Sequence, residues 1–218
     1  MTSADVINIA TTQIGYHEKV TNTPVADLYA FQNAYDGHDN WTKYHHDIGV
    51  GQGQAWCGFF CYWLFRMLIG NNADTTAFLH NITYYGGAVS SWAQAFSSAN
   101  LYHENDGYTP KPGDIVIFSD TGYPWSHCEL LTDISLWPTY IINIGGNTRN
   151  PDDPGSQSEG MWVARRTRNA VITSGFHVRG YCEVIYDDIP IGLLTDEMMA
   201  WYIHRKRKND GIPWWNMF

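Results

Sequence analysis

The sequence predicts an α+β domain in which helices come first and an antiparallel sheet follows. Two observations carry this. Helix-period apolar patterns fill the first hundred residues, and after Asn100 the period changes to that of strands. The turn signal Lys111-Pro112-Gly113-Asp114 then opens directly onto the apolar run Ile115-Val116-Ile117-Phe118. With 44% hydrophobic and 16% charged residues, the 218-residue chain is globular rather than disordered.

Taken in order, Val6, Ile7, Ile9, Ala10 and Ile14 suit a short amphipathic helix capped by Thr2 or Ser3 and stopped at Gly15. A second short helix is expected over Pro24 to Ala34, and Asp36 to Gly53 reads as a polar loop. Trp56 to Ile69 is apolar on nearly every face, which marks a helix buried in the domain centre, and Gly70-Asn71-Asn72 ends it. Ser90-Ser91 is expected to cap a third helix through Ser98. Strands follow at Ile115–Phe118, Ser126–Thr132, Tyr140–Ile144, Met161–Arg166 and Phe176–Ile185. A last helix over Thr195–Lys208 and the aromatic tail Pro213-Trp214-Trp215 divide the chain into a domain at 1–188 and an extension at 189–218.

Composition excludes several functions. A net charge of −9 argues against nucleic acid as the ligand. Nine of the 13 basic residues lie from Arg149 onward, so the front of the chain is acidic and the rear locally basic. No apolar run reaches the roughly 18 residues that span a bilayer, and Met1-Thr2-Ser3-Ala4-Asp5 lacks the basic and apolar regions of a secretory signal. Four cysteines are too few for a disulfide framework, and their spacing fits no zinc site. His17-Glu18-Lys19-Val20-Thr21 lacks the second histidine of a zinc-protease motif.

The informative segment is Ala55-Trp56-Cys57-Gly58, which puts a cysteine in the first turn of the buried helix. Unpaired N–H groups and the helix dipole stabilise a thiolate there, and the same N–H groups can hold an oxyanion. Alone, Cys57 could equally be a small buried hydrophobe. A partner comes from Ser126-His127-Cys128-Glu129-Leu130, where His127, Glu129 and Leu131 share one strand face. A hairpin around Asp133–Pro138 would set His127 opposite Asn143 or Gly145, and Asn147 shares their parity. Either asparagine could then fix the tautomer with which His127 deprotonates Cys57.

These pieces resemble the CHAP domains (cysteine, histidine-dependent amidohydrolase/peptidase) of the papain-like NlpC/P60 group, frequent in bacteriophage lysins. The matching segments are Ile14-Gly15-Tyr16-His17-Glu18-Lys19, Asn40-Trp41-Thr42-Lys43-Tyr44, Trp56-Cys57-Gly58-Phe59-Phe60, Pro112 to Phe118, the His127 strand, Gly146-Asn147-Thr148 and Arg179-Gly180-Tyr181. The resemblance implies a papain-like fold and hydrolysis of peptidoglycan amide bonds, by an endopeptidase or an N-acetylmuramoyl-L-alanine amidase. Cys57 then matches the nucleophile, His127 the general base and Gln52 an oxyanion donor. Asn147 matches the third residue directly, with Asn143 the geometric alternative and Glu129 more distant. The family's usual acidic residue two positions before that asparagine is here Gly145, and Glu129 stands where a small residue is common.

No cofactor is required by this chemistry. Some relatives carry calcium in the loop that here holds His45-His46-Asp47 with Asp36 and Asp39, without regular EF-hand spacing. The expected partner is bacterial peptidoglycan, with no nucleic acid and no membrane insertion. The expected setting is synthesis in a host cytoplasm, then action at the wall after holin-dependent release or from within a virion. Arg205-Lys206-Arg207-Lys208 reads as a solvated helix end or, with Trp201, Trp214 and Trp215, as a docking surface for wall polymers or a virion protein. Two other readings stay open: a virion structural component with secondary or lost lytic activity, and a non-catalytic wall-binding module.

Overall fold

The computed structural model describes residues 1–105, 107–149 and 160–186. The expected last helix, the Trp-rich tail and the boundary at 188/189 lie outside the described residues.

The chain begins with α1 (Ser3–Thr12), whose start is a capping box: the Thr2 side chain accepts from the Asp5 N–H, and the Asp5 carboxylate accepts from the Thr2 N–H. The second helix is only α2 (Val25–Leu28) and stops well short of Ala34. Its outgoing carbonyls are taken by the preceding segment, where the Tyr16 hydroxyl donates to Leu28 O at 2.9 Å and the His17 N–H to Phe31 O at 3.0 Å. The polar loop at 36–53 contains a helix the sequence reading left out, α3 (Lys43–Ile48). Thr42 caps it by accepting from the His45 N–H, and Gly49 ends it in the left-handed conformation that glycine adopts without strain.

The buried helix is α4 (Cys57–Ile69), with every residue but Arg66 buried. Gly70 ends it, as expected, with φ 99°. A further helix, α5 (Asn72–Phe78), starts almost at once because the Asn71 side chain accepts from the Asp74 N–H. A 3-10 turn at Thr83–Gly86 leads to α6 (Val89–Ser98), which has no side-chain cap, so Ser90-Ser91 lie inside it.

The six strands are β1 (Tyr102–Glu104), β2 (Ile115–Asp120), β3 (Tyr123–Asp133), β4 (Tyr140–Thr148), β5 (Trp162–Asn169) and β6 (His177–Cys182). They form one antiparallel sheet in the order β1-β6-β2-β3-β4-β5. Alternation along the strands divides two cores. Ile115, Ile117, Cys128, Leu130, Ile144, Val163 and Cys182 face the helices, while Val116, Phe118, Leu131, Ile141, Val178 and Tyr181 pack on the other face under Phe176 and Trp137. Helices leading into an antiparallel sheet, with α4 laid on β3 and β4, is the α+β arrangement expected of a papain-like CHAP fold.

Candidate active site

Three chain segments fix the start of α4. The Trp56 indole donates to Glu18 Oε2 at 2.5 Å, and the Asn40 N–H donates to Glu18 Oε1 at 3.3 Å. Trp56 stacks on Tyr44, and Tyr16 meets both rings edge-on. On the sheet side, Gly146 lets the helix approach: a Cβ there would fall 2.6 Å from Phe60 Cβ and from the Trp56 ring. The first hydrogen bond within α4 runs from the Phe60 N–H to Trp56 O at 2.8 Å. The N–H groups of Cys57, Gly58 and Phe59 therefore stand outside the helix ladder.

Pairing of β3 with β4 begins at Leu130–Ile144 and proceeds through Leu131–Asn143. This register differs from the expected one, since Asn143 faces Leu131 and not His127. Beyond Leu130–Ile144 the two strands make no further ladder pairs among the described residues, and a cleft of about 420 Å³ opens there. Cys57, His127, Asn147 and Ser126 line it, with Glu18, His38 and Asp120, and with Arg149, Arg166 and Arg168.

Within it the Cys57 thiol lies close enough to His127 and Cys128 for each to influence its ionisation. The His127 Nε2 donates to Glu129 Oε1 at 3.2 Å, which leaves Nδ1 as the nitrogen that can exchange a proton with sulfur. Glu129 is fully buried and fourfold bound. Besides His127, it accepts from Asn143 Nδ2 at 3.1 Å, from Arg168 Nε at 3.0 Å and from Arg168 Nη2. The Arg168 guanidinium itself lies over Phe176 and Phe118.

The charges follow from these contacts. Burial disfavours an ionised Glu129, yet Arg168 and His127 outweigh it and hold the carboxyl well below its usual range. Burial likewise opposes the imidazolium of His127, but Cys57 and Glu129 raise its pKa to about 9. The Cys57 thiol is pushed up by its hydrogen bond to Cys128 and by burial, and His127 pulls it back down.

The other expected site residues are placed differently. Asn143 reaches the cluster, but through Glu129 and not through the imidazole. Asn147 lines the cleft with φ 53°, while Nε2 of His127 is given to Glu129. Gln52 is a loop staple: its Oε1 accepts from the Thr42 N–H at 2.8 Å and its Nε2 donates to Thr42 O at 2.9 Å. With both ends of its amide engaged on Thr42, Gln52 is not placed as an oxyanion donor. The loop acids are engaged by other groups of the chain. Asp36 pairs with Lys19, Asp39 accepts from the Thr21 N–H, and Asp47 accepts from the Trp63 indole and the Tyr29 hydroxyl. Among the described residues no three His, Cys, Asp or Glu side chains form a group that could hold a metal ion.

Glu129 and Arg168 are the residues of this cluster that the sequence signals least. Strand parity puts Glu129 on the face of His127, but only the fold brings Arg168 to it from 39 residues away.

Among curated proteins none matches the chain. Two solved chains do. One, the crystal structure of Ly7917, is 14% identical with a TM-score of 0.42, and the match covers 83% of this chain and 61% of that one. This chain thus spans about three fifths of that relative's length. Residues 49–147 match the CHAP domain family, a stretch that holds Cys57, His127 and Glu129.

Proposed function

We propose that the protein hydrolyses amide bonds of the peptidoglycan peptide through a Cys57 thioester, as the catalytic unit of a bacteriophage lysin. The observation that carries the chemistry is one arrangement: the Cys57 thiol at the start of α4 against His127, whose Nε2 is held by Glu129. In the first half-reaction the thiol proton passes to His127, and the thiolate attacks the amide carbonyl carbon. The N–H groups at the start of α4 are suited to receive the oxyanion. Collapse expels the amine, which takes the proton from His127 and leaves a thioester on Cys57. In the second half-reaction His127 draws a proton from water, hydroxide adds to the thioester, and the carboxylic acid leaves with the thiol restored.

Glu129 keeps the imidazole oriented and compensates its positive charge, a part for which the sequence reading put Asn147 and Asn143 ahead of it. The phage setting is supported by the motif order shared with lysins.

The test is mass spectrometry of soluble fragments released from purified walls of several bacteria, with Cys57→Ala alongside. New amino termini are expected from the wild type and are expected to vanish in the variant. A terminus at L-alanine freed from muramic acid assigns an amidase, and one within the peptide an endopeptidase. Wall binding without new termini from any wall would overturn the reading.

A further inference from the structure

Gly145 sits in β4 without a positive φ, so backbone conformation does not require glycine there. The requirement is steric. Gly145 and Glu129 are the next residues beyond the last β3–β4 ladder pair, Leu130 with Ile144, and they lie against each other. A Cβ on Gly145 would fall 2.7 Å from Glu129 Cγ, 2.8 Å from Oε1 and 3.0 Å from Cδ. Real Cβ atoms do not approach so closely, so a side chain at 145 and the Glu129 carboxylate claim the same volume. Around that volume stand His127 Nε2, Asn143 Nδ2 and the Arg168 guanidinium, all donors and all directed at it.

We propose that Glu129 is the positioning residue of His127, and that its carboxylate occupies a seat shared by positions 129 and 145 that can be filled from either strand. The donors define the seat, and the chain needs one carboxylate in it, not a particular residue number. The inference rests on the hydrolase reading for its effect on turnover, but its effect on the imidazole can be read without any substrate. The groups facing that imidazole are the Cys57 thiol from α4 and Glu129 on its own strand, with Arg168 from β5 behind the carboxylate and Asp120 of β2 lining the same cleft. Phe118 and Phe176 supply the apolar packing around the ring.

The experiment compares wild type, Glu129→Ala and the exchange Glu129→Ala/Gly145→Glu by two readouts. One is the rate of wall-peptide release, and the other the NMR titration of His127. Glu129→Ala is expected to lower kcat about 100-fold or more with little change in KM, and to lower the pKa of His127. The exchange variant is expected to recover at least tenfold of the lost kcat and to return the titration toward that of the wild type. Should the exchange variant not fold, Glu129→Gln, which keeps the volume and removes the charge, decides on the same readouts.

A folded exchange variant that stays at the level of Glu129→Ala in both readouts overturns the proposal. So does a Glu129→Ala or Glu129→Gln protein with unchanged turnover and titration. A wild type that releases no peptide while His127 still follows the carboxylate would sink the hydrolase reading and leave the shared seat standing.

Discussion

Glu18 is 1% exposed, and burial pushes its pKa from 4.5 up to about 7 although the Trp56 indole and the Asn40 N–H both donate to it. A carboxyl with a raised folded pKa binds its proton more tightly in the fold than in the unfolded chain. Its contribution to stability is therefore complete below about pH 4.5, declines as pH rises towards 7, and is gone above. Glutamine is neutral throughout and nearly the same shape. Glu18→Gln should match the wild type near pH 4 and exceed it by up to about 3 kcal/mol near pH 8. Urea midpoints of both proteins across that range are the check, and a difference that does not change with pH would contradict the account. At this scale the sequence was most informative about Cys57 and His127, because a cysteine opening an apolar helix and a histidine on a buried strand are local patterns. Glu129 was harder. Its partners Arg168 and Asn143 come from other strands, and no local pattern announces them.

The start of α4 is held between the 3-10 turn and the sheet, and glycines on both sides set how closely it fits. A Cβ on Gly58 would lie 2.0 Å from Gly86 O and 2.8 Å from Gly87 O, backbone atoms that cannot swing away as a side-chain end could. Gly58→Ala is therefore expected to cost about 3 kcal/mol in stability. It should also impair turnover in the fraction that folds, since the shift displaces Cys57 against His127. Urea unfolding measures the first effect, and a loss below about 0.5 kcal/mol would show that the contact is not tight. The strong elements were legible because their patterns are long: α4 by its all-round apolarity, and β2 by its turn followed by four apolar residues. Those that escaped are short. α3 lies in a polar stretch, α5 follows α4 with no spacer, and β1 has three residues at a sheet edge. The β3–β4 register also escaped, because pairing depends on where the hairpin and the register shift between Leu131 and Asp133 put the strands.

Across the whole molecule, the sheet has one face to the helices and the other to a smaller aromatic cluster, and the cleft opens where β3 and β4 part beside the start of α4. The scattered motifs near Tyr16, Asn40, Thr42 and Trp56 meet in one aromatic and polar cluster behind Cys57, which is why their order, rather than any one of them, carried the resemblance. A chain of net charge −9 places three arginines around this cleft, and Arg168 spends its charge on Glu129. Four buried free cysteines make the central claim directly testable, because one thiol among them lines the cleft. The measurement is stoichiometric alkylation by iodoacetamide, with peptide mapping of the modified thiols and wall-peptide release followed in the same samples. The account predicts that Cys57 is modified first while Cys61, Cys128 and Cys182 stay unmodified, and that activity falls in proportion to Cys57 modified. It also predicts that His127→Ala slows the modification. Full peptide release from protein completely alkylated at Cys57 would contradict it.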